Sequence, residues 1–202
     1  MKEDRNKVVL LDPATDLPVG AMEKLAAHRE GLYHAAISVL LVDQNGHHIL
    51  QQRSASKYHS PGLWSNACCS HPFPGESNEV AAFRRLEEEL GIRCQPSHFG
   101  TVRYRAVVPA ANSIHGKLIE HERVELYCAE YSEAIEPNES EVSAIRSEPI
   151  HGAEIMQNEI TPWFILYMRL FGGDLHPFLK NAFGRRSGPF DFGFHDLTTT
   201  GM

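Results

Sequence analysis

The chain has 202 residues, 42% hydrophobic and 22% charged, which excludes a disordered chain and suits one domain with its own core. Asp and Glu number 26 against 19 Lys and Arg, a formal charge of -7 that speaks against a nucleic-acid-binding surface but leaves room for a local basic pocket. Four cysteines are too few for a disulfide scaffold, no apolar run is long enough to span a bilayer, and Met1 to Lys7 lacks the apolar stretch of a signal peptide. The expectation is a soluble cytoplasmic protein that binds neither nucleic acid nor membrane.

Val8 to Leu11 reads as a short strand, and Asp12-Pro13 starts a turn. Met22 to Arg29 reads as a short helix or an extended lead-in. Ala35 to Val42 is a buried strand by its Ile, Val and Leu content. Asp43-Gln44-Asn45-Gly46 predicts a tight hairpin, with Ile49 to Arg53 returning. Ser54 to Asn66 is a loop, Ala67 to His71 follows, and a second loop carries Pro72, Pro74 and Gly75. Ser77 to Leu90 is the clearest helix: Ser77 is its N-cap, Val80, Phe83, Leu86 and Leu90 form its apolar stripe, and Gly91 ends it.

Val102 to Val108 alternates, with Arg103 and Arg105 opposite Val102, Tyr104 and Ala106. Pro109 to Gly116 connects to a long strand, Leu118 to Cys128. Its period of 2 puts Glu120, Glu122, Val124, Leu126 and Cys128 on one face. Ser132 to Glu141 is polar, and Ser143 to Glu148 fits a last strand. Thr161-Pro162 opens a second helix, capped by Thr161, that runs to about Phe171 and stops at Gly172-Gly173. The pattern predicts an α+β domain over residues 1–183, helices against a mixed sheet, and a loosely held tail over 184–202.

Three groups of residues point to chemistry. Twelve histidines are many for this length. Glu120 and Glu122 share a strand face, where two buried carboxylates need a cation, and no basic residue on that face supplies one. His28, His34 and His71 with these two acids make a set suited to Mn2+, Zn2+ or Mg2+. On a strand, Cys69 and His71 point the same way while Cys68 points oppositely, so Cys69 is the candidate thiol and Cys68 a small core residue. A structural zinc site is a poor fit, because Cys94 and Cys128 are isolated.

Glu76, Arg84, Leu86, Glu88, Glu89, Gly91 and Ile92 resemble the Nudix box. Ser70 stands where that pattern has its leading Gly, and Arg85 where it has the first Glu of the Arg-Glu pair. A cation there would repel Mg2+ from the hydrolytic cluster. The wider chain, from about Val8 to Trp163, resembles the type I isopentenyl diphosphate isomerases. The likeness lies in Met22-Glu23-Lys24-Leu25-Ala26-Ala27-His28, Arg53-Ser54-Ala55-Ser56-Lys57 and Pro61-Gly62-Leu63-Trp64-Ser65-Asn66. It continues through Cys69-Ser70-His71-Pro72, Gly75-Glu76-Ser77-Asn78-Glu79, Arg103-Tyr104-Arg105, Glu120-His121-Glu122 and Thr161-Pro162-Trp163.

The resemblance implies a Nudix-like fold and the reversible conversion of isopentenyl to dimethylallyl diphosphate through a tertiary carbocation. It implies proton transfer by Cys69 and by Glu122 working with Tyr104. It implies diphosphate contacts from Lys24, Arg53, Lys57 and Arg85, Mg2+ at Glu89, and cation stabilisation by Trp163. The rival reading of Trp163 is a core anchor. The partner implied is a small prenyl diphosphate, and the chain is expected to work as a monomer. Two readings from other classes stand beside this one. A Nudix hydrolase is disfavoured by Arg85, and a non-catalytic binding module by the intact Cys69, Glu122 and three histidines.

Overall fold

The computed structural model describes residues 3–111, 116–149, 159–183 and 189–198. A 3-10 turn, Glu3–Asn6, leads into strand β1 (Lys7–Leu11), which folds back as β2 (Pro18–Glu23). Helix α1 (Lys24–Glu30) begins at once, because the Glu23 carboxylate accepts the Ala26 N–H and caps it. The segment expected to be helix or lead-in is thus both. Strand β3 (His34–Val42) and β4 (His48–Arg53) follow, joined by a turn in which Asp43 accepts from the backbone of Asn45 and His47. Of the Asn45-Gly46 pair only Gly46 takes positive φ. The expected loop after β4 contains a short strand, β5 (Trp64–Asn66), and β6 (Cys68–Ser70) follows it.

Helix α2 (Asn78–Leu90) is capped by Ser77, whose hydroxyl accepts the Val80 N–H, and closed by Gly91 at φ 68°. A Cβ at Gly91 would also stand 3.0 Å from the Glu136 carbonyl oxygen. Its buried face is Ala81, Ala82, Leu86, Glu89 and Leu90, and Val80 is 57% exposed. Val80 lies about 120° round the helix from Leu86, outside the stripe assigned to it. Strands β7 (Ser97–Val108) and β8 (Leu118–Glu130) are longer than the sequence pattern suggested, and β9 (Val142–Glu148) is one residue longer. The loop expected over 109–116 lies partly outside the described residues.

Helix α3 (Pro162–Phe171) starts at Thr161 as expected, but the Thr161 hydroxyl makes no capping bond and meets Ser65 Oγ at 3.1 Å instead. Helix α4 (His176–Phe183) follows. Within the segment expected to be loose, Phe190–Asp196 forms β10 and pairs parallel with β7. The approach is close: a Cβ at Gly100 would stand 2.6 Å from the Phe192 ring and 2.8 Å from the Phe190 carbonyl. So β9 is not the last strand.

The strands form one mixed sheet with a central order β10-β7-β8-β3-β1-β2; β4 and β6 also pair with β3, and β5 and β9 pair with β4. One core lies between the sheet and α3 and α4, around Leu40, Leu126, Trp163, Phe164 and Tyr167. The other lies under α2, around Val39, Leu41, Cys68, Leu86 and Leu90. This is the expected α+β architecture, with helices on both faces of a mixed sheet. Among the described residues no helix is long and apolar enough to cross a membrane.

Candidate active site

The site is built by strand register. Glu122 on β8 stands directly opposite His34 on β3 and Tyr104 on β7. Cys69 on β6 stands opposite Ser38 on β3. Helix α1, packed on β8, brings His28. The period-2 reading of β8 holds: Glu120 and Glu122 are buried on the face that continues as Val124, Leu126 and Cys128.

His28, His34, His71, Glu120 and Glu122 each offer a ligand atom, all within 4.8 Å of one another. His28 Nε2 lies 3.4 Å from Glu120 Oε2, His71 Nε2 lies 3.0 Å from Glu122 Oε1, and His34 Nε2 lies 3.5 Å from that same oxygen. Backbone carbonyls fix two of the rings: His28 Nδ1 donates to Lys24 O and His34 Nδ1 to Leu32 O, both at 2.7 Å. That leaves both Nε2 atoms aimed inward, where the ligand atom of a metal-bound imidazole must point. His34 Nε2 is buried and has no hydrogen-bond partner. An orphaned imidazole nitrogen beside two buried carboxylates fits a divalent metal ion.

The electrostatics agree. Burial pushes the Glu122 carboxyl up, but the His34 ring, Glu120 and His28 outweigh it and hold the group at about 2. Burial pushes His28 down, and Glu120 more than reverses this, to about 9. Tyr104 donates to Glu122 Oε2 at 2.8 Å. Burial, then the two glutamates, push its phenol well above the usual range.

These groups open on a cavity of about 500 Å3. Cys69, Tyr104, Glu120, Glu122, Trp163 and Tyr167 are on its wall. Cys69 is a free thiol, and burial pushes it up to about 12 against the Ser38 and Asn66 contacts that pull it down. Cys68 faces the other way, fully buried in the core under α2. Trp163 lines the cavity and is 2% exposed, and its Nε1 is anchored on Ser65 Oγ at 3.0 Å.

The wall also carries five cations, Lys24, Arg53, Lys57, Arg84 and Arg85, and the Arg53 guanidinium lies over the Trp163 ring at 5.4 Å. Burial, then Lys57 and Arg85, push the Lys24 ammonium down. Lys57 pairs with Glu141, and Arg85 with Glu88, Glu89 and Glu141. Arg53 lines the cavity but spends two donors on the carbonyls of His59 and Ser60. It braces a loop in which Ser60, a non-glycine residue, holds φ 48°. Glu89 is not on the wall: it is 1% exposed beneath Arg85 and accepts from Gln51 Nε2 at 3.1 Å. Arg84 forks onto Glu76, with both bonds at 2.7 Å. The box carboxylates Glu76, Glu88 and Glu89 are therefore paired with arginines, while the clustered ligand atoms belong to the His/Glu group.

Several cavity residues were not read from the sequence. His59 Nε2 meets Glu120 Oε1 at 3.0 Å, and Tyr58 OH meets His28 Nε2 at 3.4 Å. Both lie in a loop with no periodicity to mark a face. Tyr167 sits on α3, where an aromatic in an apolar stripe reads as core. Glu141 stands at the end of a polar run and gives no signal of its partners.

A family model described as NUDIX domain matches residues 32–166. The isopentenyl-diphosphate Delta-isomerase of Rhodobacter capsulatus is 43% identical over 158 residues, covering 73% of this chain and 84% of that protein. That of Pectobacterium atrosepticum is 42% identical over 166 residues, covering 79% of this chain and 88% of that one. Among solved structures, DR0079 from Deinococcus radiodurans superposes with a TM-score of 0.54 at 18% identity, covering 83% of this chain and 90% of that one. That likeness speaks to the fold alone. The chain belongs to the NUDIX domain family and, within it, to the isopentenyl-diphosphate Delta-isomerases.

Proposed function

We propose that this protein interconverts isopentenyl and dimethylallyl diphosphate in isoprenoid biosynthesis. The observation that carries the reading is one cavity whose wall holds both the proton-transfer groups, Cys69 and the Tyr104–Glu122 pair, and five cationic side chains. A prenyl diphosphate needs both, one set for its alkene and the other for its anionic group.

The reaction adds a proton to an unactivated alkene and removes another from C2, through a tertiary carbocation. It needs an acid, a base, a dry wall and a grip on the diphosphate. We assign the two proton transfers to Cys69 and to Glu122 with Tyr104, and which one donates reverses with the direction of reaction. Tyr104, bonded to Glu122 Oε2, holds a proton beside the carboxylate and can relay it. Trp163 presents an aromatic face to the carbocation, a contribution of roughly 0.5–2 kcal/mol.

His28, His34, His71, Glu120 and Glu122 would hold Mn2+, Zn2+ or Mg2+. Such an ion supplies fixed positive charge that keeps the two carboxylates ionised together in a dry site. Lys24, Arg53, Lys57 and Arg85 orient the diphosphate by charge-assisted bonds. Glu89 serves the Mg2+ that accompanies the diphosphate, and Arg85, its present partner, turns to the phosphate. The protein is read as a cytoplasmic monomer, and sedimentation velocity tests the monomer.

The test is a proton NMR time course with isopentenyl diphosphate, Mg2+ and Mn2+ in D2O, with phosphate assayed in the same tube. Loss of the methylene signals with deuterium entering a methyl group and no phosphate released supports the isomerase. Phosphate release with the alkene intact would replace it with a hydrolase.

A further inference from the structure

Cys69 is held by a closed ring of three hydrogen bonds. Asn66 Nδ2 donates to Ser38 Oγ at 2.9 Å, Ser38 Oγ meets Cys69 Sγ at 3.2 Å, and Cys69 Sγ donates to Asn66 Oδ1 at 3.1 Å. The ring has one direction only. Asn66 Nδ2 also reaches the carbonyls of Val39, at 2.8 Å, and Cys68, at 3.0 Å, and carbonyls only accept. The amide therefore cannot flip, and its oxygen must face the thiol. That oxygen can only accept, so the single thiol hydrogen goes to Asn66. Ser38 keeps one hydrogen, which Cys69 Sγ and the Tyr167 oxygen can both accept, and a thiolate, as the charged acceptor, takes it.

Asn66 Oδ1 is fixed from a second side by the Ser65 hydroxyl at 3.2 Å, which in turn accepts from Trp163 Nε1. Tyr167 lies beside Ser38 and Cys69, with its hydroxyl in hydrogen-bonding reach of Ser38. Ser38, Ser65 and Asn66 are all buried, so water cannot take the place of a lost partner.

We propose that Ser38 and Asn66 are positioning residues for Cys69, with Ser38 the donor that supports the sulfur whenever the thiol has given up its hydrogen. The inference rests on the proton-transfer role assigned to Cys69 above. In the direction in which Cys69 is the acid, its S–H bond breaks, the hydrogen forms the new C–H bond on the alkene, and sulfur keeps the electron pair. The thiolate then faces Asn66 Oδ1, an acceptor that repels it, and Ser38 O–H, a donor that holds it. In the reverse direction sulfur takes a hydrogen from carbon, and the same ring closes again. Asn66 steers the resting thiol, and Ser38 carries the charged state.

Removing a donor to a charged group costs about ten- to a hundredfold in rate. Ser38→Ala should lower kcat by about tenfold or more, leave KM for isopentenyl diphosphate within about twofold and bound metal as in the wild type, and lower Tm, because buried Asn66 loses an acceptor. Ser38→Thr, which restores a hydroxyl, should recover most of kcat. Labelling of Cys69 by iodoacetamide, followed by mass spectrometry, should slow several-fold in Ser38→Ala. Should Ser38→Ala fail to fold, the Thr and Val variants, which differ at this site by the hydroxyl, give the same comparison.

Wild-type kcat and labelling in Ser38→Ala would overturn the inference. So would a loss of turnover explained by a raised KM or lost metal. If the wild type does not isomerise, the functional reading fails, and the labelling rates alone decide the role of Ser38.

Discussion

Glu122 is shared between two neighbours through its two oxygens: Tyr104 donates to Oε2 at 2.8 Å, while Oε1 faces His71 Nε2 at 3.0 Å. One carboxylate thus joins the five-residue ligand group to the phenol on the cavity wall. The strand register makes this geometry, since Tyr104 and Glu122 are direct cross-strand partners. Glu122→Gln keeps the shape but loses the charge. Turnover should fall by about 10^2–10^4, the usual worth of a general acid or base, with the fold intact by circular dichroism. Tyr104→Phe should fall by a smaller factor and leave metal content unchanged. NMR turnover at matched protein and metal concentration checks both. Retained activity in Glu122→Gln would overturn its assigned role.

The two adjacent cysteines give an internal control. Cys69 lines the cavity and Cys68 is sealed beneath α2. Cys69→Ala should abolish isomerisation. Cys68→Ala should leave kcat nearly unchanged and cost only a modest drop in Tm, from the small void beside Leu86 and Leu90. An inactive but folded Cys68→Ala would mean that the other thiol does the chemistry.

Metal uptake should release protons. Without an ion His28 sits at about 9, because Glu120 more than offsets burial, so it is protonated at pH 7.5. Binding takes the neutral imidazole, so the proton must leave. Calorimetric titration of Mn2+ in buffers of different ionisation enthalpy reads this directly. A binding enthalpy independent of buffer would contradict it. Chelation should also lower Tm, since two buried carboxylates then lose their shared cation.

A second charge network lies away from the cavity. Asp16 accepts from Arg103, Arg123 and Tyr33. Burial pushes its carboxyl up, and Arg103 and Tyr33 outweigh that and hold it below the usual range. A carboxyl held lower in the folded state than in the unfolded one adds stability above its unfolded value, and that stability is lost as pH falls through its folded value. Tm should therefore drop on acidification below about pH 4, and Asp16→Asn should be less stable at neutral pH with a flatter acid limb. Thermal melts across that range decide it.

How much of this was legible in the sequence follows from physics that acts along the chain. Period 2 placed Glu120 with Glu122 and Cys69 with His71. It could not place Ser38 against Cys69, because strand register is set by tertiary packing. Val80 was assigned to the buried stripe as an apolar residue near its start, yet the stripe runs through Ala82, Leu86 and Glu89. Phe190–Asp196 read as loose because it lies in a stretch rich in Gly, Phe and Thr, and it is held by backbone pairing to β7. Glu89 is assigned to Mg2+ by the resemblance alone, and in the structure it pairs with Arg85, one helical turn earlier.

The cations of the cavity wall carry their own counter-charge. Glu141 pairs with Lys57 and reaches Arg85 Nη2 at 3.5 Å, so it occupies two of the groups assigned to the diphosphate. A diphosphate must compete with that carboxylate for its donors. Glu141→Gln removes the competing charge and should lower KM several-fold while leaving kcat within about twofold, since each unit of charge at a partly screened site is worth about 1 kcal/mol. Lys57→Ala removes a donor instead and should raise KM. The effect should shrink in high salt, because the charges face an open cavity mouth. Steady-state kinetics at two ionic strengths measures both variants, and an unchanged KM in Glu141→Gln would mean that the carboxylate stays out of the diphosphate's way.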